Sequence, residues 1–174
     1  MAPLKAPGSD GMPPLFYQSC WSLLRSDVST TILHYLNSSS FPQALGHSFI
    51  TLIPKVKDPT YVSELRPISL SNVLYRIFAK VLTNRLQAII PNLISEHQSA
   101  FLSDRLISDN ISVAFETLHY MRNQNKGKSG FMALNLDMSK AYDRLEWEYM
   151  ERVMIKMGFH TRWIQLMMMC ITTA

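Results

Sequence analysis

The sequence predicts an α+β fold, mostly helical with a small sheet. Apolar residues recur every three or four positions over several long stretches, which is the helical period. Two short runs read as strands, and Pro, Gly and polar clusters separate the stretches. With 174 residues, 47% of them hydrophobic, the chain carries enough apolar side chains for one core and is too short for two independent ones. A charged fraction of 17% and an aromatic fraction of 10% exclude a disordered, collagen-like or low-complexity chain.

Residues 1–14 are rich in Pro and Gly, so they are expected to form a flexible N-terminal segment, with Pro13-Pro14 suited to opening a helix. Helical spacing follows over residues 15–37, through Phe16, Cys20, Leu23, Leu24, Val28, Ile32, Leu33 and Leu36. Phe49 to Val56 is short, branched and closed by Asp58-Pro59, which predicts a strand that Pro54 confines to an edge or ends. A polar connection runs to Ser71. A long helix is predicted from Val73 to Ile90, closing at Pro91, with Arg76, Lys80 and Arg85 on its polar face. Another covers Ile107 to Asn123.

Phe131 to Met138 alternates, with Met132, Leu134, Leu136 and Met138 on one side and Ala133, Asn135 and Asp137 on the other, so a second strand is predicted there. A helix from Arg144 to Met157 is expected to use Asp143 and Glu146 as a capping box and Gly158 as its stop. The last helix, Thr161 to Ile171, is apolar enough to need a surface to pack on.

Seventeen Lys and Arg against thirteen Asp and Glu give a net charge of +4, which permits a polyanionic partner without requiring one. Cys20 and Cys170 are the two cysteines, and their separation argues against a disulfide framework or a zinc ribbon. The segment from Val28 to Pro54 lacks charge but is interrupted too often by polar residues to span a bilayer, and the N-terminus lacks the apolar core of a signal peptide. The chain is therefore expected to be soluble and intracellular, nuclear or cytoplasmic. No histidine spacing suits zinc or a nucleophilic triad, and no Gly-rich phosphate loop occurs.

An acid at a strand end followed by a turn into a helix is a common way to hold a divalent cation, and Asp137 has that position. From geometry alone, a solvated strand-end aspartate or a turn former is the better explanation. The surrounding Ala133-Leu134-Asn135-Leu136-Asp137-Met138-Ser139-Lys140-Ala141-Tyr142-Asp143 resembles the first catalytic motif of reverse transcriptases from non-LTR (LINE-type) retrotransposons, especially the plant versions. Other blocks resemble that family in the same order: Ala6-Pro7-Gly8-Ser9-Asp10-Gly11, Leu52-Ile53-Pro54-Lys55, Leu65-Arg66-Pro67-Ile68-Ser69-Leu70, and Gln98-Ser99-Ala100-Phe101 through Arg105 and Asp109-Asn110.

The resemblance implies a polymerase-like right hand with a small antiparallel sheet. Residues 15–130 would be its fingers-like region and 131–174 a partial palm, truncated at the C-terminus. It implies RNA-directed DNA synthesis on an RNA template and a DNA primer, with deoxynucleotides as substrates and Mg2+ as cofactor. Asp137 would be the catalytic carboxylate and, with the backbone carbonyl of Met138, a metal ligand. Arg66, assisted by Lys55, would hold the triphosphate, Lys57 being an alternative to Lys55. Tyr142 would lie under the incoming sugar; without the family, a buried core tyrosine explains it. Gln98, Phe101 and Arg105 would lie along the template, although Leu102-Ser103-Asp104 departs from the family's small Pro-Gly step and brings an acid beside that path.

The row Arg76, Lys80 and Arg85 reads either as a template track or as the solvated face of a helix, and Asp143 is better explained as a helix cap than as a ligand. Two-metal nucleotidyl transfer needs several carboxylates to bring two dications within about 4 Å. Nowhere do two acids stand side by side, and the family's paired-aspartate motif would lie well beyond Asp143. The isolated chain is thus expected to be an inactive fragment; a noncatalytic nucleic-acid-binding module or an inert remnant is the alternative.

Overall fold

A computed structural model of the chain describes residues 1–102, 105–123, 130–138, 140–141 and 143–173. They form two compact units, Met1–Thr83 with Glu146–Ala174, and Asn84–Leu145. The secondary structure is mostly helical with one small antiparallel sheet, as the sequence predicts.

In the first unit, α1 (Pro14–Ser19) opens on the expected proline, and α2 (Trp21–Ser38) follows after a break at Cys20. Val28, Ile32 and Leu36 recur every fourth residue of α2 and are buried, so one stripe of the helix faces the core. Ser39, at φ 51°, ends the helix in the left-handed conformation. The short α3 (Gln43–Gly46) leads into β1 (Ser48–Pro54).

Strand β2 (Leu65–Ser71) pairs antiparallel with β1, from Ser48 opposite Ser71 to Pro54 opposite Leu65. The sequence reading took this stretch for a polar connection. Its serines and Pro67 hide the alternation, and pairing with β1 supplies the stabilisation that local propensity lacks. Helix α4 (Val73–Gln87) stops three residues short of the expected end, and Pro91 falls inside the separate short helix α5 (Ile90–Leu93).

Val73, Phe78 and Leu82 of α4 are at most 2% exposed and join the α2 stripe, Tyr17, Phe41 and Leu166 in one core. Phe41 is its aromatic hub, with ring centroids 5.0 Å from Phe78, 5.1 Å from Tyr35 and 5.9 Å from Tyr75. Earlier elements therefore cover the apolar C-terminal helix α8 (Thr161–Thr172), whose Trp163, Met167, Met169 and Cys170 pack on this core. Arg162 Nη2 also donates to the carbonyls of Leu36 and Asn37 at the end of α2.

The second unit contains α5, α6 (Ile107–Asn123) and the stretch 130–138. Helix α6 has the predicted bounds, but none of its residues is buried. The predicted strand over Phe131 to Met138 is not formed: these residues have no regular secondary structure, and Met132, Leu134, Leu136 and Met138 are 65–85% exposed. A strand needs a neighbour to take its backbone hydrogen bonds, and the sole ladder among the described residues joins β1 to β2.

Back in the first unit, α7 (Trp147–Lys156) begins after the predicted start, with Glu146 at its N-cap and no side-chain capping bond. The capping box of Asp143 and Glu146 is thus absent, because the turn at Lys140 takes the Asp143 and Arg144 amides and delays the helix. Gly158 is the stop, at φ 81°, and the bonds Phe159 N to Met154 O and Gly158 N to Ile155 O complete a Schellman ending.

Candidate active site

The hairpin β1–β2 carries two of the blocks singled out in the sequence, and its register fixes their cations. Pro54 closes β1, where its missing N–H interrupts nothing further along the strand. One more ladder-like bond follows, from Lys55 N to Glu64 O at 2.7 Å. Glu64 then ties the loop, its Oε2 accepting from Tyr61 N at 3.0 Å and Thr60 N at 2.7 Å. These backbone bonds, Tyr61 first, stabilise the ionised form and lower the Glu64 pKa below its usual value.

Arg66 lies opposite Ile53. Its side chain is exposed and makes no hydrogen bond or ion pair among the described residues. Lys55 is two residues beyond Ile53, so the pleat sets it on the face that carries Arg66. Its Nζ donates to Ser63 O at 2.7 Å, which orients the ammonium without neutralising it. The hairpin thus brings Lys55 and Arg66 to one face, with Arg66 the free fork; Glu64, opposite Lys55, shares that face, but its carboxylate is taken up by the Thr60 and Tyr61 amides. Lys57 is exposed in the same loop.

In the second unit the template-block residues fall in one loop. Arg105 Nη1 donates to Ser95 O and Gln98 O, both at 2.6 Å, so the guanidinium braces the loop backbone. Asn110 Nδ2 adds a bond to the buried Ser99 Oγ at 2.8 Å. Phe101, at φ 62° and 90% exposed, projects from this braced loop. Gln98 and Arg105 are brought together, and the exposed ring of Phe101 is a stacking surface.

Asp137 and Met138 lie in the exposed stretch 130–138. Among the described residues no three His, Cys, Asp or Glu come together as metal ligands. One carboxylate and one carbonyl do not balance two dications, so these residues alone do not fit the magnesium centre that the resemblance implies. Tyr142 lies outside the described residues.

Sequence reasoning missed Asn72, which is 1% exposed. Its Oδ1 accepts from Ser9 Oγ and Asp10 N, and its Nδ2 donates to Leu45 O. Arg76, read as a template track or a solvated face, donates from Nη2 to Ala6 O and from Nε to Ser71 O, both at 2.8 Å. Residues 6–11, expected within a flexible lead-in, are thereby tied to the start of α4. A Pro-Gly turn cluster and a lone Asn before a helix were the available signals.

Residues 53–174 match the family model described as reverse transcriptase (RNA-dependent DNA polymerase). The chain is 30% identical over 146 residues to the Transposon TX1 uncharacterized 149 kDa protein of Xenopus laevis, an alignment covering 84% of this chain and 11% of that protein. It is 24% identical over 154 residues to the Retrovirus-related Pol polyprotein from type-1 retrotransposable element R2 of Popillia japonica, covering 88% of this chain and 20% of that one. The chain thus spans a fifth or less of these curated relatives. No helix among the described residues is long and apolar enough to cross a membrane. A family match over most of the sequence, together with these transposon and retrotransposon relatives, means that this chain belongs to the reverse transcriptase family.

Proposed function

We propose that this chain is the nucleotide- and template-binding portion of an RNA-directed DNA polymerase from a non-LTR retrotransposon of the plant type. The plant assignment rests on the spelling of the blocks around Arg66 and Asp137. The uncompensated guanidinium of Arg66, on a hairpin whose register is fixed, carries the reading: a free planar fork binds phosphate oxygens in pairs. Lys55 adds charge on the same face, and Tyr142 is assigned to the sugar. Gln98, Phe101 and Arg105 form the template loop, in which Arg105 sets the backbone and Phe101 offers a ring to a base.

Asp137 and the Met138 carbonyl are this chain's contribution to the magnesium centre. That contribution is too small for catalysis, so the isolated chain binds without extending a primer. The free thiols of Cys20 and Cys170 support an intracellular location, nuclear or cytoplasmic.

Titration of a fluorescent deoxynucleoside triphosphate tests the reading. Arg66→Ala is expected to weaken binding about tenfold or more, from the loss of a charge-assisted pair worth roughly 1.5–3 kcal/mol. Equal affinity in both proteins contradicts it. The exposed cations also favour the alternative of a noncatalytic module, for which RNA affinity falls steeply with salt while triphosphate affinity is indifferent to Arg66. An inert remnant binds neither ligand.

A further inference from the structure

The tie between residues 6–11 and α4 encloses a surface cavity of about 380 Å³ within the first unit. The N-terminal segment forms one wall through Lys5 and Ala6. The end of β2 lines the cavity through Ile68, Ser69, Leu70 and Ser71, and Arg76 of α4 completes the lining. No acid lines it. Arg76 is half-buried and fixed by two carbonyls, which orient the guanidinium yet leave its charge uncompensated. Its Nη1 makes no hydrogen bond among the described residues, whose one ion pair joins Arg152 to Glu148 on α7, away from the cavity. Lys5 is exposed at the rim, and the hydroxyl of Ser69 meets Ser48 Oγ at 2.7 Å.

We infer that this cavity binds a phosphate group, with Arg76 as its oriented donor, Lys5 as a mobile second cation and the Ser71 hydroxyl as a neutral one. A guanidinium held by two of its nitrogens has already lost much of its rotamer freedom, so less entropy is lost when it takes an anion. The walls come from segments more than sixty positions apart in sequence, and the Arg76 to Ala6 bond spans 70 of them. The site therefore exists only while the N-terminal segment is docked. Arg66 is not among its lining residues, and the site extends the proposed polymerase reading by giving the chain a second phosphate contact. The phosphate is carried by a polynucleotide backbone or by a free nucleotide, which share this chemistry.

The full chain is titrated with inorganic phosphate, a deoxynucleoside triphosphate and a single-stranded RNA dodecamer at several salt concentrations. Lys5→Gln, Arg76→Gln and the control Arg152→Gln are compared with the parent. Lys5→Gln is expected to weaken dodecamer binding about threefold to tenfold and to reduce the magnitude of the salt slope by about 0.7, the share of one single-strand phosphate. Arg76→Gln should do at least as much, and Arg152→Gln should change neither. Because Arg76 also holds the N-terminal segment, Lys5→Gln decides if Arg76→Gln unfolds by circular dichroism. Dependence of dodecamer binding on Lys5 assigns the site to a backbone phosphate. Dependence of triphosphate and inorganic phosphate alone assigns it to a free nucleotide. Binding of all three probes indifferent to Lys5 and Arg76 overturns this inference and leaves the proposed function standing; no binding of any probe overturns both.

Discussion

The side-chain oxygen of Asn72 accepts a hydrogen bond from the amide of Asp10 at 3.1 Å, across 62 positions of sequence. With Ser9 Oγ at 3.2 Å on the same oxygen and Leu45 O at 3.2 Å from Nδ2, one buried amide joins the N-terminal segment, the approach to β1 and the start of α4. Asn72→Ala leaves buried donors and an acceptor unpaired and is expected to cost about 2–3 kcal/mol. Urea denaturation reads the loss, and hydrogen exchange should show faster exchange at the Asp10 amide. Unchanged exchange there contradicts the tie.

Gly8 is buried against the same residue. A Cβ at this position would lie inside contact distance of the Asn72 side-chain oxygen and backbone nitrogen and of the Ser71 carbonyl carbon. Gly8→Ala must therefore push the segment off α4, lowering stability by about 1–3 kcal/mol. The effects of Gly8→Ala and Asn72→Ala should be less than additive, because either one undocks the segment. A double-mutant cycle measures this, and strict additivity would reject a shared cause.

Phe78 is 0% exposed beside Phe41. Phe78→Ala opens a cavity at the point where α2 and α4 meet the aromatic hub and is expected to cost about 3–5 kcal/mol. A midpoint shift of less than about 1 kcal/mol in urea denaturation would mean that the core lies elsewhere.

Tyr75 donates its hydroxyl to Cys170 O at 2.6 Å, joining α4 to α8. Burial first, and then its bonds to Cys170, push its pKa well above the usual tyrosine range. The neutral form is favoured in the fold, so this stabilisation is complete below about pH 10 and is lost as pH rises beyond it. Tyr75→Phe should cost about 1 kcal/mol at pH 8 and flatten the alkaline fall in melting temperature. An unaltered alkaline limb counts against the assignment.

Glu64 behaves in the opposite sense. Its lowered pKa, from the Tyr61 and Thr60 amides, means that loop stabilisation is present above the ordinary glutamate value and lost as pH falls through the lowered one. Hydrogen exchange at Thr60 and Tyr61 should accelerate in that acid window and in Glu64→Gln at neutral pH. Amides indifferent to both would refute the loop closure.

What was legible in the sequence is what local periodicity specifies. Helix α6 has its predicted bounds because Ile107 to Asn123 satisfies the helical period without help, and Gly158 ends α7 because its backbone angle suits glycine. Strand β2 was hidden because its pairing is non-local and Pro67 resembles a breaker. The 131–138 stretch failed in the reverse direction, since alternation announces a strand but cannot supply the partner whose backbone completes it. The two carbonyl bonds of Arg76 are illegible for a related reason: a cation on a helix face looks the same whether it meets solvent or a carbonyl 70 residues away. Block order carried the family, whereas the ties among Ala6, Asn72 and Arg76 needed coordinates.

Primer extension by the purified 174-residue chain, on an RNA template with magnesium and four deoxynucleotides, bears most directly on the claim that this polypeptide binds the substrates of polymerisation but does not complete the reaction centre. The account predicts no extended product from either the parent or Asp137→Asn. Extension by the parent that Asp137→Asn abolishes would contradict it, because a single acidic residue here would then suffice where several are required.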